Sequence, residues 1–248
     1  MPDSTEALNT ETSDLDMWFQ ENRMPANLRP HDSWNHNHGA PTNYRRDMRN
    51  SLTGEEFFEN YLKSLHEPNN VHPVDGMEQK HSHRGDFVLN HANGQKEFEV
   101  KLERKGAETG RHALEFGEYN TDYHGNLQSE RVPGWFRASK ADIVVPVVPM
   151  SNGTVVLYPY DLQKVRQYLT KMAQQAHLAG EDMLDKDGHL DHAKMLEVLA
   201  NNIENARHTL GPVNTLRSGG YKRSRSLCLP YQFLVQNQLS KPYVVRFE

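Results

Sequence analysis

Asp86 and the triplet Glu99-Val100-Lys101 share one stretch, Gly85-Asp86-Phe87-Val88-Leu89-Asn90-His91-Ala92-Asn93-Gly94-Gln95-Lys96-Glu97-Phe98-Glu99-Val100-Lys101-Leu102-Glu103. Asn93-Gly94 is a favoured centre for a two-residue hairpin turn, because both positions want positive φ. With Ala92 and Gln95 flanking that turn, Leu89 faces Phe98 and Phe87 faces Val100 on an apolar side. Val88 then faces Glu99, and Asp86 faces Lys101, on a charged side. A one-residue slip would mix the two sides, so the pattern supports the alternation. Two carboxylates and a lysine on one face suit hydrolysis of a phosphodiester with a divalent metal. Hard carboxylate oxygens hold Mg2+ (or Mn2+), which keeps several waters. The metal acidifies an attacking water and offsets charge developing on phosphorus, while a neighbouring lysine orients that water or adds a point charge.

Those residues have to be positioned by the elements around them. Thr53 is a candidate cap for a helix whose apolar residues Phe57, Phe58, Tyr61, Leu62 and Leu65 recur at helical spacing until Pro68. Asp86–Asn90, Glu97–Glu103, His112–Phe116 and the apolar run Ala141–Val148 read as strands. Asp161–Ala179 and His192–Ala206 read as helices, and Tyr231–Val235 and Tyr243–Phe247 as late strands. Residues 1–50 carry few aliphatics and isolated apolar residues (Met17, Trp18, Phe19, Trp34), so they read as a mostly irregular N-terminal arm. Residues 51–248 are expected to form one domain, of the α/β (α+β) class, with a mixed sheet flanked by helices.

With an acid at the head of one strand and Glu-X-Lys on the next, the chain resembles the PD-(D/E)XK nuclease superfamily, phage and prokaryotic members above all. Gly85 stands where the motif's proline would be. The resemblance implies a restriction-endonuclease-like fold and a Mg2+-dependent DNA endonuclease, with Asp86 and Glu99 as metal ligands and Lys101 acting on the nucleophilic water or the transition state. It adds Glu55, on the apolar border of the first helix where Glu56 points away, and Glu115, which alternates with Leu114 and Phe116 on the third strand. Gly134-Trp135-Phe136-Arg137-Ala138-Ser139-Lys140-Ala141-Asp142-Ile143-Val144-Val145 matches the segment that leads into the next core strand. Ser139 and Lys140 are placed there to touch a DNA backbone, Asp142 to fix the turn, and Trp135 to pack beneath the loop. A structure-specific resolvase or exonuclease of the same fold, and a non-catalytic DNA-binding or interaction module, are the alternatives.

Arg217-Ser218-Gly219-Gly220-Tyr221-Lys222-Arg223-Ser224-Arg225 reads as a flexible basic loop whose Arg217, Lys222, Arg223 and Arg225 would bind phosphates. Arg45, Arg46 and Arg49 form a second small basic group. The chain of 248 residues has 28 Lys+Arg against 33 Asp+Glu, a net charge of −5, which speaks against a wholesale basic coat. No apolar run reaches the ~18 residues of a membrane span, and Met1–Asp16 has no leader pattern. A single cysteine, Cys228, leaves no internal disulfide framework and fits a reducing, cytoplasmic setting. DNA is thus the expected partner, with no membrane, and a homodimer would supply one site per strand. His36-Asn37-His38 and His81-Ser82-His83 lack the context of zinc or His-Asn-His sites. Asp182–Gly188 lacks a calcium loop's first and last acids, with Met183 and Lys194 in their places.

Overall fold

The computed structural model describes residues 13–30, 44–76, 79, 82–92, 94–184, 191–216 and 219–248. In chain order the helices are α1 (Ser13–Asp16), α2 (Tyr44–Leu65), α3 (Gly106–Thr109), α4 (Trp135–Ala138), α5 (Leu162–Leu178), α6 (His192–Asn202) and α7 (Tyr231–Gln236). The strands are β1 (Asn22–Met24), β2 (Val71–Pro73), β3 (Phe87–His91), β4 (Gly94–Leu102), β5 (Arg111–Thr121), β6 (Leu127–Pro133), β7 (Ile143–Pro149), β8 (Val155–Leu157), β9 (Tyr160–Asp161), β10 (Arg207–Leu210), β11 (Asn214–Thr215), β12 (Tyr221–Pro230) and β13 (Tyr243–Phe247). The chain is mixed α+β, as expected. It divides into two interleaved compact units: one holds Met1–Thr109, Lys140–Asp161 and Asn237–Glu248, the other Gly110–Ser139 and Leu162–Gln236. No helix among the described residues is long and apolar enough to cross a membrane.

The first unit is built on a mixed sheet in the order β1-β13-β8-β7-β4-β3-β2, with β9 against β7. Within it β4 runs parallel to β7 and antiparallel to β3. The β7 sequence IVVPVVP is buried along almost its whole length, which explains its unbroken apolar character. Helix α2 lays Phe57, Phe58, Tyr61 and Leu62 into a core shared with Phe87, Leu89, Phe98, Val100 and Val145. Phe58 and Phe98 rings lie 5.7 Å apart. Each such burial stabilises the fold by roughly 1.5–3 kcal/mol.

Three sequence expectations change in this unit. Helix α2 begins at Tyr44 rather than after Thr53, since no proline interrupts residues 44–65 and most of the added residues tolerate a helix. The irregular arm is corrected over residues 15–28: Leu15, Trp18, Phe19 and Met24 are core residues, and β1 pairs in parallel with β13. The hairpin register is displaced by two residues, with Phe87 opposite Phe98 and His91 opposite Gly94. Asn93 itself lies outside the described residues. A two-residue displacement keeps each side chain on its own face, so the split between apolar and charged sides survives.

The second unit carries an antiparallel sheet in the order β10-β12-β5-β6, with β11 also on β12. Leu114, Phe116, Leu227 and Leu229 are buried within it, with Leu196 and Leu199 from α6. Asp191 caps α6 by accepting from the Ala193 and Lys194 N–H groups at 2.8 and 3.3 Å. Residues 231–235, expected as a strand, start helix α7 instead. Its Tyr231 and Leu234 are buried three residues apart, a helical spacing too short to separate from a strand by sequence alone.

Candidate active site

Two glycines shape the place where Asp86 and the Glu99-Val100-Lys101 triplet meet. Gly54 lies where α2 crosses β4, and a Cβ there would sit 2.8 Å from Leu102 Cβ. That close approach brings the next residue, Glu55, within electrostatic reach of Asp86 and Lys101. Glu55 is half-buried while Glu56 is exposed, as the helical spacing predicts. At Gly85 a Cβ would overlap the carbonyl oxygen of Phe98 and crowd Ala141 Cβ at 3.2 Å. Gly85 N–H also donates to Glu97 Oε1 at 2.5 Å. Proline could do neither job, having a Cβ and no N–H. Glycine at this position therefore has a local cause.

Asp86 stands just ahead of β3. Its N–H donates to Phe98 O at 2.6 Å, and its Oδ2 accepts from Val100 N–H at 2.6 Å. The ladder with β3 ends at the Phe87–Phe98 pair, and β4 continues beside β7, with Glu99 opposite Val144 and Lys101 opposite Pro146. Asp86 thus places its carboxylate against the backbone of the Glu99-Val100-Lys101 triplet. The remaining oxygen, Oδ1, lies 3.4 Å from Gln79 Nε2. Glu99 and Lys101 form an ion pair with side chains only 11% and 29% exposed.

Three carboxylates thus share one ammonium in a poorly hydrated place. Burial first, and then the charge of Glu99, push the pKa of Asp86 up to about 7, against the pull of Lys101; Glu55 adds to the rise and the Val100 N–H opposes it. Burial disfavours the Lys101 ammonium, but Glu99, Asp86 and Glu55 outweigh it and hold its pKa above the ordinary lysine value. The lysine stays charged while Asp86 shares its environment with a second carboxylate. Such excess negative charge is relieved by a cation with hard oxygen preference, and the donor set of Asp86 and Glu99 suits one that keeps most of its waters. Among the described residues no group of three or more His, Cys, Asp or Glu side chains is arranged to hold a metal.

The other expected residues lie on separate elements. Glu115 lies on β5 in the second unit, opposite Ser226, and is half-buried. Ser139 is buried, so it is not open to a DNA backbone, whereas Lys140 is exposed. Asp142 does more than fix a turn: its Oδ2 accepts from Glu97 N–H at 2.9 Å and its N–H donates to Glu97 O at 2.9 Å, joining the middle of β4 to the start of β7. Trp135 packs against His112, ring centroids 5.7 Å apart. The basic loop is corrected over residues 221–225, which form the first half of β12. There Lys222 pairs with Glu118, Arg223 donates to the carbonyls of Gly211 and Gly125, and the buried Arg225 donates to His208 and Glu197. Their partners are far away in the chain, so the local sequence reads as a free basic run. Arg217, His36, His38 and His81 lie outside the described residues, as does 185–190 of the calcium-like stretch. Lys194 bonds Asp182 at 2.6 Å.

Sequence reasoning missed Gln79 and Glu97. Glu97 alternates with Glu99 and Lys101 and could have been found by that pattern; it receives Gly85 N–H and pairs with Arg84 at 3.0 Å. Gln79 has no local signal. No family model, no curated protein and no solved structure matches the chain.

Proposed function

We propose that the chain is a metal-dependent deoxyribonuclease of PD-(D/E)XK type that hydrolyses phosphodiester bonds within DNA. The convergence of Asp86, Glu99, Lys101 and Glu55 in one unit, with Asp86 pushed up to about 7, carries this reading. Asp86 and Glu99 would hold a divalent cation such as Mg2+ or Mn2+, which supplies an acidified water and a counter-charge to the phosphodiester. Lys101 keeps its proton and presents an ammonium where negative charge develops, oriented by its pairing with Glu99. Val100 N–H fixes one oxygen of Asp86, so that carboxylate needs little reorganisation to act as a ligand. Glu55 adds negative charge from α2 and strengthens the preference for a cation. Glu115 keeps only the role the resemblance gives it. DNA as substrate, a cytoplasmic setting and a homodimer that cuts both strands complete the proposal. Incubation of the purified chain with supercoiled plasmid and Mg2+ tests it: nicked or linear product is expected, and intact plasmid over the full range of Mg2+ and Mn2+ overturns it.

A further inference from the structure

The cluster around Asp86 is net negative, with Asp86, Glu99 and Glu55 against Lys101. A polyanionic substrate therefore needs positive groups close by. The segment leading into Asp86 supplies a place for them. Each of its residues is tied down: His83 O accepts from Lys140 N–H at 2.7 Å, Arg84 pairs with Glu97 at 3.0 Å, Gly85 N–H donates to Glu97, and Asp86 N–H donates to Phe98 O. Arg84 is committed to Glu97, and Gly85 has no side chain. His83 and Lys140 are different. Both are exposed, and neither side chain makes an ion pair or hydrogen bond among the described residues. A direct backbone bond holds the two residues side by side.

His83 also has φ 55, one of three non-glycine residues with positive φ among the described residues. Glycine would take that conformation at lower cost. Histidine brings a ring N–H donor and lysine an ammonium, and both suit phosphate oxygens. We propose that His83 and Lys140 form a phosphate-binding pair that grips the DNA backbone beside the reactive carboxylates. The inference rests on the nuclease reading for its substrate, and it adds His83 as a binding residue and the pairing of His83 with Lys140.

The test uses the full chain, a fluorescent DNA duplex of about 20 base pairs, and Ca2+ in place of Mg2+, with affinity followed across a KCl series. Lys140→Ala is expected to lower the slope of log K against log salt by about one, the signature of one lost phosphate contact. His83→Gly keeps the backbone conformation and removes the ring, so it is expected to weaken binding at fixed salt by roughly threefold to tenfold with no fall in melting temperature. Wild-type affinity and slope in both variants overturn the pair, as does failure of the wild type to bind the duplex. Plasmid nicking by the wild type, measured in parallel, separates the two ideas. Nicking by the wild type with variants that keep wild-type affinity and slope sinks the pair alone; variants with weakened binding and a lowered slope, without any nicking, support the pair and sink the nuclease reading.

Discussion

Asp86 Oδ2 accepts a hydrogen bond from Val100 N–H at 2.6 Å, so the acid ahead of β3 is fastened to the centre of the Glu99-Val100-Lys101 triplet on β4. Bond and charge pull in opposite directions here. The hydrogen bond favours the ionised form, but burial and Glu99 win, and the group titrates near 7.

A stability profile follows from that balance. The pKa of Asp86 is raised from 3.8 to about 7, so the unfolded chain gives up its proton first as pH rises. The stabilising contribution is fully present below pH 3.8 and is lost progressively as pH climbs to about 7. Asp86→Asn keeps an oxygen for Val100 N–H and removes the charge. In EDTA at pH 8 it is expected to melt higher than the wild type by at least about 2–4 °C, the shift for roughly 1 kcal/mol in a chain of this size. At pH 4 the gap should close. Mg2+ should raise the melting temperature of the wild type and not of the variant, and equal Mg2+ responses would remove Asp86 from the ligand set.

Gly85→Ala should damage the same place sterically. The added methyl meets the Phe98 carbonyl, which is part of the β4 backbone and cannot swing aside. A loss of roughly 1–3 kcal/mol is expected in urea unfolding, together with weaker Mg2+ binding by calorimetry. A variant as stable as the wild type would show that Gly85 does not shape the site.

In the second unit, Arg225 Nε donates to His208 Nε2 at 2.9 Å, which requires that nitrogen to be unprotonated. Burial, and then the Arg225 charge, lower the pKa of His208 below its ordinary 6.5, with Glu197 opposing. The bond therefore adds stability that is present above pH 6.5 and is lost as pH falls through the lowered value. His208→Gln offers an amide oxygen that does not titrate, and should flatten the drop in melting temperature between pH 7 and about 5. An unchanged drop would place the acid sensitivity elsewhere.

Trp18 tests the corrected N-terminal segment. It is 5% exposed and packs against His91 and Phe98 with ring centroids 5.2 and 6.4 Å away. Trp18→Ala is expected to cost about 3–5 kcal/mol in denaturant unfolding. A loss near zero would return residues 15–24 to an arm with no share in the core.

What could be read from the chain differs with the range of the interactions. The helix carrying Glu55, the two faces of the β3–β4 hairpin and the buried run of β7 follow from local periodicity, and the structure has all of them. The register differs by two from the one the Asn93-Gly94 turn signal predicts, because Gly94 (φ 122) begins β4 and pairs with His91. Trp18 and Phe19 join the core through contacts with residues more than forty positions away, which no window could detect. The same holds for β12: Lys222 finds its acid, Glu118, on another strand of its sheet. Of the site, Asp86, Glu99, Lys101 and Glu55 were legible because alternation and helical spacing put them on defined faces. Gln79 was not, since only the folded chain brings it within 3.4 Å of Asp86.

As a hydrolytic centre, Lys101 and the two carboxylates must lose activity together with the ammonium. The direct measurement is plasmid cleavage in Mg2+ by the wild type beside Lys101→Ala, with circular dichroism to establish that both are folded. Nicking by the wild type and a fall of at least about 100-fold in the variant are expected, the loss typical of removing one group that stabilises developing charge. Equal cleavage by the two proteins would contradict the account.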